Sequence, residues 1–580
     1  MAKTPLFTSL RRLVATALQA RCGREPSAEA GATLSRRELL GCGALPAAAL
    51  VGCSASEGTV RQVGGTPAHR IAVIGAGLAG LHCAYRLEQA GVEVTLYEAS
   101  QRVGGRVLTA RDLLPGNPLC ELGGEFIDEH HITMHALAAE LDIALDDGLG
   151  DALPASAAQL WWVEGRSVSE ATLLEQLSAV APAMADALER AQLADNAEFE
   201  ALDATPLSAW LAEHVPSARY PELFALLTSA YRGELGLETN QQSALNLMYL
   251  FGSSGTSDLR VLRQPEQRYR AREGNDTFTK LLAGKLRGSV NLESALLAVR
   301  QVGRVYVLSF RGPNGTGLQV EVDRVVFATP FSVLRKVELD VELSRRKRKG
   351  IAELGYGTNV KVVAGFSSRP WRQQGHTGRV TSDAPFQQVW DSSLGQRSTP
   401  TDPASFALTN LLGGDAGLHN KEQTPDAYVQ SLLPELEQVF PGAQGAYVRG
   451  SAVRMHWPSA RFFEGSDSCY RPRQRTDFGG SEGEREGNLH FCGEHCSVDF
   501  QGRMEGAAES GLFVAAEILE DLEVDLPSSV RELLAAKLVV RQPGYPSAGP
   551  LSRSLARRRA VLQAHEEFAR LNGFRRHAKS

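Results

Sequence analysis

Disulfides are the first thing this chain lacks. Its 580 residues hold only eight cysteines. Cys22, Cys42 and Cys53 precede residue 54; the other five, Cys83, Cys120, Cys469, Cys492 and Cys496, are an odd number without framework spacing. That excludes a small cross-linked scaffold. Cys492 and Cys496 flank His495, and packing accounts for them better than a metal does. Long apolar runs are missing too, for nothing after residue 53 reads as a transmembrane helix. A net charge of -6 supplies no overall basic field for nucleic acid. No Ser-His-Asp set and no metal-ligand cluster stands at convincing spacing, so no metal is expected. Internal repeats and long low-complexity segments are also absent.

What is present is phosphate-binding punctuation. Ile71-Ala72-Val73-Ile74 reads as a buried parallel strand, and Gly75-Ala76-Gly77-Leu78-Ala79-Gly80 follows at Gly-x-Gly-x-x-Gly spacing. Gly75 permits the tight turn, Gly77 lets backbone approach a pyrophosphate, and Gly80 lets helix and strand pack closely. The helix that begins here runs to about Ala90 and offers free N–H groups to phosphate. A second strand, Val92 to Tyr97, ends on Glu98, placed to accept hydrogen bonds from a ribose. Together these parts predict dinucleotide binding. Arg102-Val103-Gly104-Gly105-Arg106 and Glu121-Leu122-Gly123-Gly124-Glu125-Phe126-Ile127 then add two more glycine-rich segments. A nicotinamide dehydrogenase does not need them here, whereas an enzyme wrapping an extended FAD does.

At these residues the chain resembles the flavin-containing amine oxidases: monoamine, polyamine and L-amino acid oxidases and their bacterial relatives. The C-terminal part agrees. Asn488 to His495 is similar to the segment whose acid, here Glu494 after Gly493, lies near the FAD pyrophosphate. Gly502-Arg503-Met504-Glu505-Gly506-Ala507 resembles the closing motif, whose helix points its N-terminus at the flavin. Tyr356 to Lys361 resembles the strand carrying the active-site lysine. The resemblance runs from about Ile71 to Leu519 and implies an α/β fold. That fold is a Rossmann-type, doubly wound, three-layer FAD-binding domain with a discontinuous α+β substrate domain. It also adds Leu296 to the cofactor-binding set.

The same resemblance assigns the chemistry. The flavin takes a hydride equivalent from the carbon bearing nitrogen, while the protein positions a neutral amine and excludes water. Lys361 would hold a water near the flavin and assist reoxidation by O2. Trp457 and Tyr470 are expected as aromatic walls. Asp467-Ser468-Cys469-Tyr470 is similar to the monoamine oxidase segment in which a cysteine is bonded to the flavin, and whether Cys469 is so bonded stays open. One departure stands out: where monoamine oxidases have a second tyrosine, this chain has Arg503. A cation there repels a protonated amine and suits a carboxylate, unless it turns outward into a salt bridge. Glu273 replaces the more usual glycine before Gly274. Tyr231-Arg232-Gly233-Glu234 and Gln267-Arg268-Tyr269 fall in the substrate region.

Ser35-Arg36-Arg37-Glu38-Leu39-Leu40 is a twin-arginine motif before a short, weakly apolar run. It ends in Leu50-Val51-Gly52-Cys53, similar to a lipoprotein cleavage box. Export by the twin-arginine route and a lipid anchor at Cys53, on the periplasmic side of a membrane, are the expectation. The expected divisions are a leader over 1–53 and a linker over 54–69. FAD-domain pieces follow at 70–130, 270–345 and 486–522, with substrate-domain pieces at 131–269 and 346–485. A separate basic tail at 523–580 carries Arg557-Arg558-Arg559. The second FAD piece is read as a strand pair around Val290 and Val305, closed by Asp323 to Pro330. Two rival readings share these features: an oxidoreductase acting on carbon–carbon bonds, and a lipoprotein keeping FAD as a structural element. The main expectation is oxidation of an amine or amino acid to an imine, with O2 reduced to H2O2.

Overall fold

The computed structural model describes residues 69–539, apart from 115, 149–157, 194–195, 250–251, 254–258, 261–267, 289 and 397–405. The twin-arginine motif, Cys53, Gln267 and Arg557-Arg558-Arg559 lie outside the described residues. β1 (Ile71–Ile74) is buried at every position, as its unbroken apolar run requires of a central parallel strand. α1 (Leu78–Gln89) starts at Gly77, and β2 (Val94–Tyr97) returns beside β1. With β3 (Val290–Asn291), β4 (Arg324–Phe327) and β5 (Leu489–Phe491) they form one parallel sheet, in the order β3-β2-β1-β4-β5.

On one face of this sheet lie α1, α2 (Ile132–Glu140), α3 (Met504–Asp521) and α4 (Ser528–Val539). They share one core, which includes Leu81, Met134, Leu137, Leu512 and Leu533. On the other face lies a four-stranded sheet of 295–302, 305–311, 317–322 and 338–340, packed through Tyr97, Leu308 and Phe310. The third layer is therefore a sheet, and only the expected strand pair leading into it is corrected. Val290 and Val305 do not pair: Val290 joins the parallel sheet beside Leu96, and Val305 pairs with Val302. The turn at Leu292–Ser294 sends the chain from one layer to the next.

The tail also differs from expectation. Ser528–Val539 is not separate, because Val530, Leu533 and Leu534 sit in the core with α1 and α3. The spacing of these residues puts them on one helical face, which must be covered. α2, from the piece expected in the substrate domain, packs there as well. The remaining mass is a seven-stranded mixed sheet, with the Val360–Phe366 strand second in order, and a helical group whose core includes Leu177, Trp210, Leu227 and Tyr231. This part closes over the C-terminal ends of β1 and β4, where open α/β sheets bind their ligands.

Candidate active site

Two adjoining cavities open at those strand ends. The larger, about 420 Å³, is lined by Gly75, Gly77, Ala79, Glu98, Gly104, Gly105, Arg106, Gly124, Leu296, Gly493, Glu494 and Met504. The smaller, about 120 Å³, is lined by Gly123, Gly124, Glu125, Phe126, Gly233, Glu234, Lys361, Trp390, Trp457, Ser466, Asp467 and Arg503. Arg106, Gly124, Asp467, Gly502, Arg503 and Met504 face both.

The floor of the larger cavity is bare backbone. Gly105 holds φ at 60°, and a Cβ there would stand 3.1 Å from the Cα of Gly77. A side chain at either position would narrow the groove between the two glycine segments. No side chain caps α1, which leaves its first-turn N–H groups to a ligand. Glu98 accepts the Ala76 N–H at 2.8 Å and the Ser100 N–H at 2.8 Å, which fixes the acid at the end of β2. Gly80 does not line the cavity; its role is packing, for a Cβ there would meet the Gly75 carbonyl oxygen at 2.0 Å. Arg102 does not line it either. Its guanidinium donates to the Val103 and Gly105 carbonyls and braces the second glycine turn. These residues fit an extended dinucleotide with its phosphates on the α1 N-terminus.

Arg106 faces both cavities and pairs with Glu494 in the wall of the larger one. They are 2.9 Å apart, and Glu494 also accepts Ser468 N–H, Ser468 Oγ–H and Gly502 N–H. One carboxylate thus ties three segments that are remote in sequence. The N-terminus of α3 enters the site here, with Arg503 as its first flanking residue and no side-chain cap.

Lys361 lies where the sequence places it, on the wall of the smaller cavity. Its Nζ donates to the Glu121 carbonyl at 3.0 Å, the Gly123 carbonyl at 2.9 Å and Glu125 Oε2 at 2.7 Å. These bonds match the three protons of an ammonium, so a water beside Lys361 would have to replace one of them. Trp390 Nε1 donates to the other oxygen of Glu125 at 3.0 Å, and Trp457 Nε1 donates to the Leu122 carbonyl at 3.1 Å. Burial pushes the nearby Glu121 carboxyl up to about 8.

Cys469 and Tyr470 are corrections. Neither lines either of these two cavities. Cys469 is buried in the helical core, and the Tyr470 hydroxyl donates to Glu482 at 2.6 Å beneath a different cluster. The residues of that segment that do face the site are Ser466 and Asp467, three positions earlier. Glu234, which the sequence places in the substrate region without a role, faces the smaller cavity. Its side chain is fully buried, and it stands 3.4 Å from Arg503 Nη2. Asp128, His130 and His131 bring potential ligand atoms within 4.8 Å of one another behind this site, a grouping the sequence reading did not expect. His131 Nδ1 already accepts the Asp128 N–H at 3.0 Å.

Sheet order, glycine cradle and α3 terminus define an FAD-binding oxidoreductase site. The model of the family described as flavin containing amine oxidoreductase matches residues 78–519, and the chain belongs to that family. It is 24% identical to an L-amino-acid oxidase of Siganus canaliculatus, over 78% of this chain and 85% of that protein. It is 27% identical to the flavin-dependent L-tryptophan oxidase RebO of Lentzea aerocolonigenes, over 76% and 96%. Among solved structures, cyclohexylamine oxidase from Brevibacterium oxydans superposes with a TM-score of 0.66 at 23% identity, covering 79% of this chain and all of that one. That likeness speaks for the fold alone.

Proposed function

We propose that the chain is an FAD-dependent oxidase of amino acids, taking the amine to the imine and passing the electrons to O2 to give H2O2. Arg503 carries this reading. Its side chain is 7% exposed and borders the smaller cavity, yet among the described residues its one hydrogen bond is a long contact of 3.4 Å to Glu234. A buried guanidinium has five donors and is costly to leave unmatched, so a carboxylate at this point is favoured. The names of two relatives, an L-amino-acid oxidase and an L-tryptophan oxidase, agree with that chemistry.

Bound in the larger cavity, FAD would supply the hydride acceptor. Gly77, Gly105 and the α1 terminus would hold its phosphates, and Glu98 its ribose. Arg503 would fork onto the substrate carboxylate, and Glu234 beside it would accept an N–H of the amine. Phe126, Trp390 and Trp457 wall the cavity and exclude water. Glu125, held by Lys361 and Trp390, keeps the wall charged but closed.

An anaerobic visible spectrum tests the reading. Amino acids should bleach the flavin of the purified protein, and air should restore it with one H2O2 per turnover. Bleaching by simple amines alone, or by polyenes alone, would overturn it. The same proposal includes export of the folded protein by the twin-arginine route and a lipid at Cys53, supported by Arg36-Arg37 and Leu50 to Cys53. Labelling with radioactive fatty acid should mark the wild type and not Cys53→Ala; an unlabelled, soluble wild type would sink the anchor.

A further inference from the structure

α4 lies beyond residues 78–519, which the family model matches, yet it reaches the flavin side of the molecule. It buries Val530, Leu533 and Leu534 against the FAD-domain core. One turn on, the same face delivers Lys537, whose side chain is 8% exposed. Its ammonium is bonded to Glu505 and, at 2.6 Å, to Glu509. Burial acts against that charge, but the two carboxylates outweigh it and hold the ammonium above its usual range.

Both acids have further tasks. Glu505, in the first turn of α3, accepts the N–H groups of Thr133 and Met134 at 2.9 Å each and so fixes the start of α2. Glu509 accepts the Ser497 hydroxyl, and Ser497 Oγ accepts the Phe500 N–H at 2.9 Å. That pins the loop leading to Arg503. Lys537 also sits 4.6 Å over the Phe500 ring. The N-terminus of α3 lines the larger cavity through Arg503, Met504 and Ala507. A helix N-terminus favours the negative charge that reduction puts on a flavin, whereas two buried carboxylates in its first two turns oppose it.

We infer that Lys537 is a positioning residue of the flavin site, supplying from the C-terminal helix the charge that lets the α3 N-terminus stabilise reduced flavin. Among the described residues Asp499 acts on Glu509, and His131 faces Lys537 with His130, His135 and Arg503 acting on it in turn. The inference rests on FAD binding and is independent of the substrate.

The test is the midpoint potential of the flavin-loaded full chain, measured by dye equilibration from pH 6 to pH 9. Lys537→Met leaves one extra negative charge. Its potential should fall below that of wild type at pH 9. Glu509→Gln should shift the potential upward. The double variant K537M/E509Q restores the charge balance and should return to the wild-type value, and Lys537→Arg should match wild type throughout. A Lys537→Met potential equal to wild type at pH 9, or a double variant that keeps the full Lys537→Met offset, would show a merely structural role and overturn the inference. If Lys537→Met does not fold, Glu509→Gln decides: a potential equal to wild type at pH 9 overturns it.

Discussion

Lys361 and Glu125 meet at 2.7 Å in the wall of the smaller cavity, and each closes the other's hydrogen bonding. Glu125 is 3% exposed at its side chain and has Trp390 as its other donor. The Lys361 side chain is 11% exposed, so both charges are largely shielded from bulk water.

Lys361→Met should therefore destabilise the protein by about 3–5 kcal/mol, the cost of leaving one partner of a buried pair charged and alone. Denaturant unfolding of the flavin-loaded protein measures this. The double variant K361M/E125Q should recover most of the loss, because it removes the stranded charge. Recovery in stability without recovery in turnover would separate the wall from the chemistry.

Much of this site was legible in the sequence where the chemistry is local. The turn at Gly75, the packing at Gly80 and the acid at Glu98 follow from backbone geometry within a few residues. Arg503 was visible as a departure from a motif. Cys469 and Tyr470 misled because identity was read without register. The chain passes the site at Ser466 and Asp467, bonds Ser468 to Glu494, then turns Cys469 into the helical core. The role of Glu234 was hidden for a different reason: its contact with Arg503 spans 269 residues of sequence. Lys537 did carry a signal, for Val530, Leu533 and Leu534 make a buried face that continues through it. Reading the segment as a basic tail overlooked that periodicity.

Gly105→Ala should lower flavin content. Gly105 is left-handed, a conformation that costs an alanine about 1 kcal/mol, and its Cβ would press on Gly77 from 3.1 Å. The ratio of flavin to protein absorbance after purification should drop while the melting curve of the apoprotein changes little. Full flavin occupancy would mean that the groove between the two glycine segments does not hold the phosphates.

Arg503→Gln should separate amino acids from simple amines. Losing a charge-assisted contact removes about 1.5–3 kcal/mol, so kcat/KM for amino acids should fall about 10- to 100-fold. Simple amines should lose little, because they offer nothing to the guanidinium. Arg503→Lys should rescue poorly, since an ammonium lacks the planar fork. Equal losses for both substrate classes would assign Arg503 to the pair with Glu234 rather than to the substrate.

Glu121 gives the stability of the protein a pH dependence with a definite sign. Burial holds its folded carboxyl protonated up to about 8, while Asn275 N–H and Thr109 Oγ–H donate to it. In the unfolded chain the same carboxyl releases its proton near pH 4.3, the usual value for glutamate. Between these two values the folded state binds more protons than the unfolded one, so stability falls as pH rises. The slope is at most about 1.4 kcal/mol per pH unit for one group, and it levels off above the folded value. Glu121→Gln keeps the shape and cannot ionise, so its unfolding free energy should lose this slope and exceed that of wild type above pH 8. Parallel curves for the two proteins between pH 5 and pH 8 would show that Glu121 is ionised in the fold, with Lys361, bonded to the Glu121 carbonyl, compensating its charge.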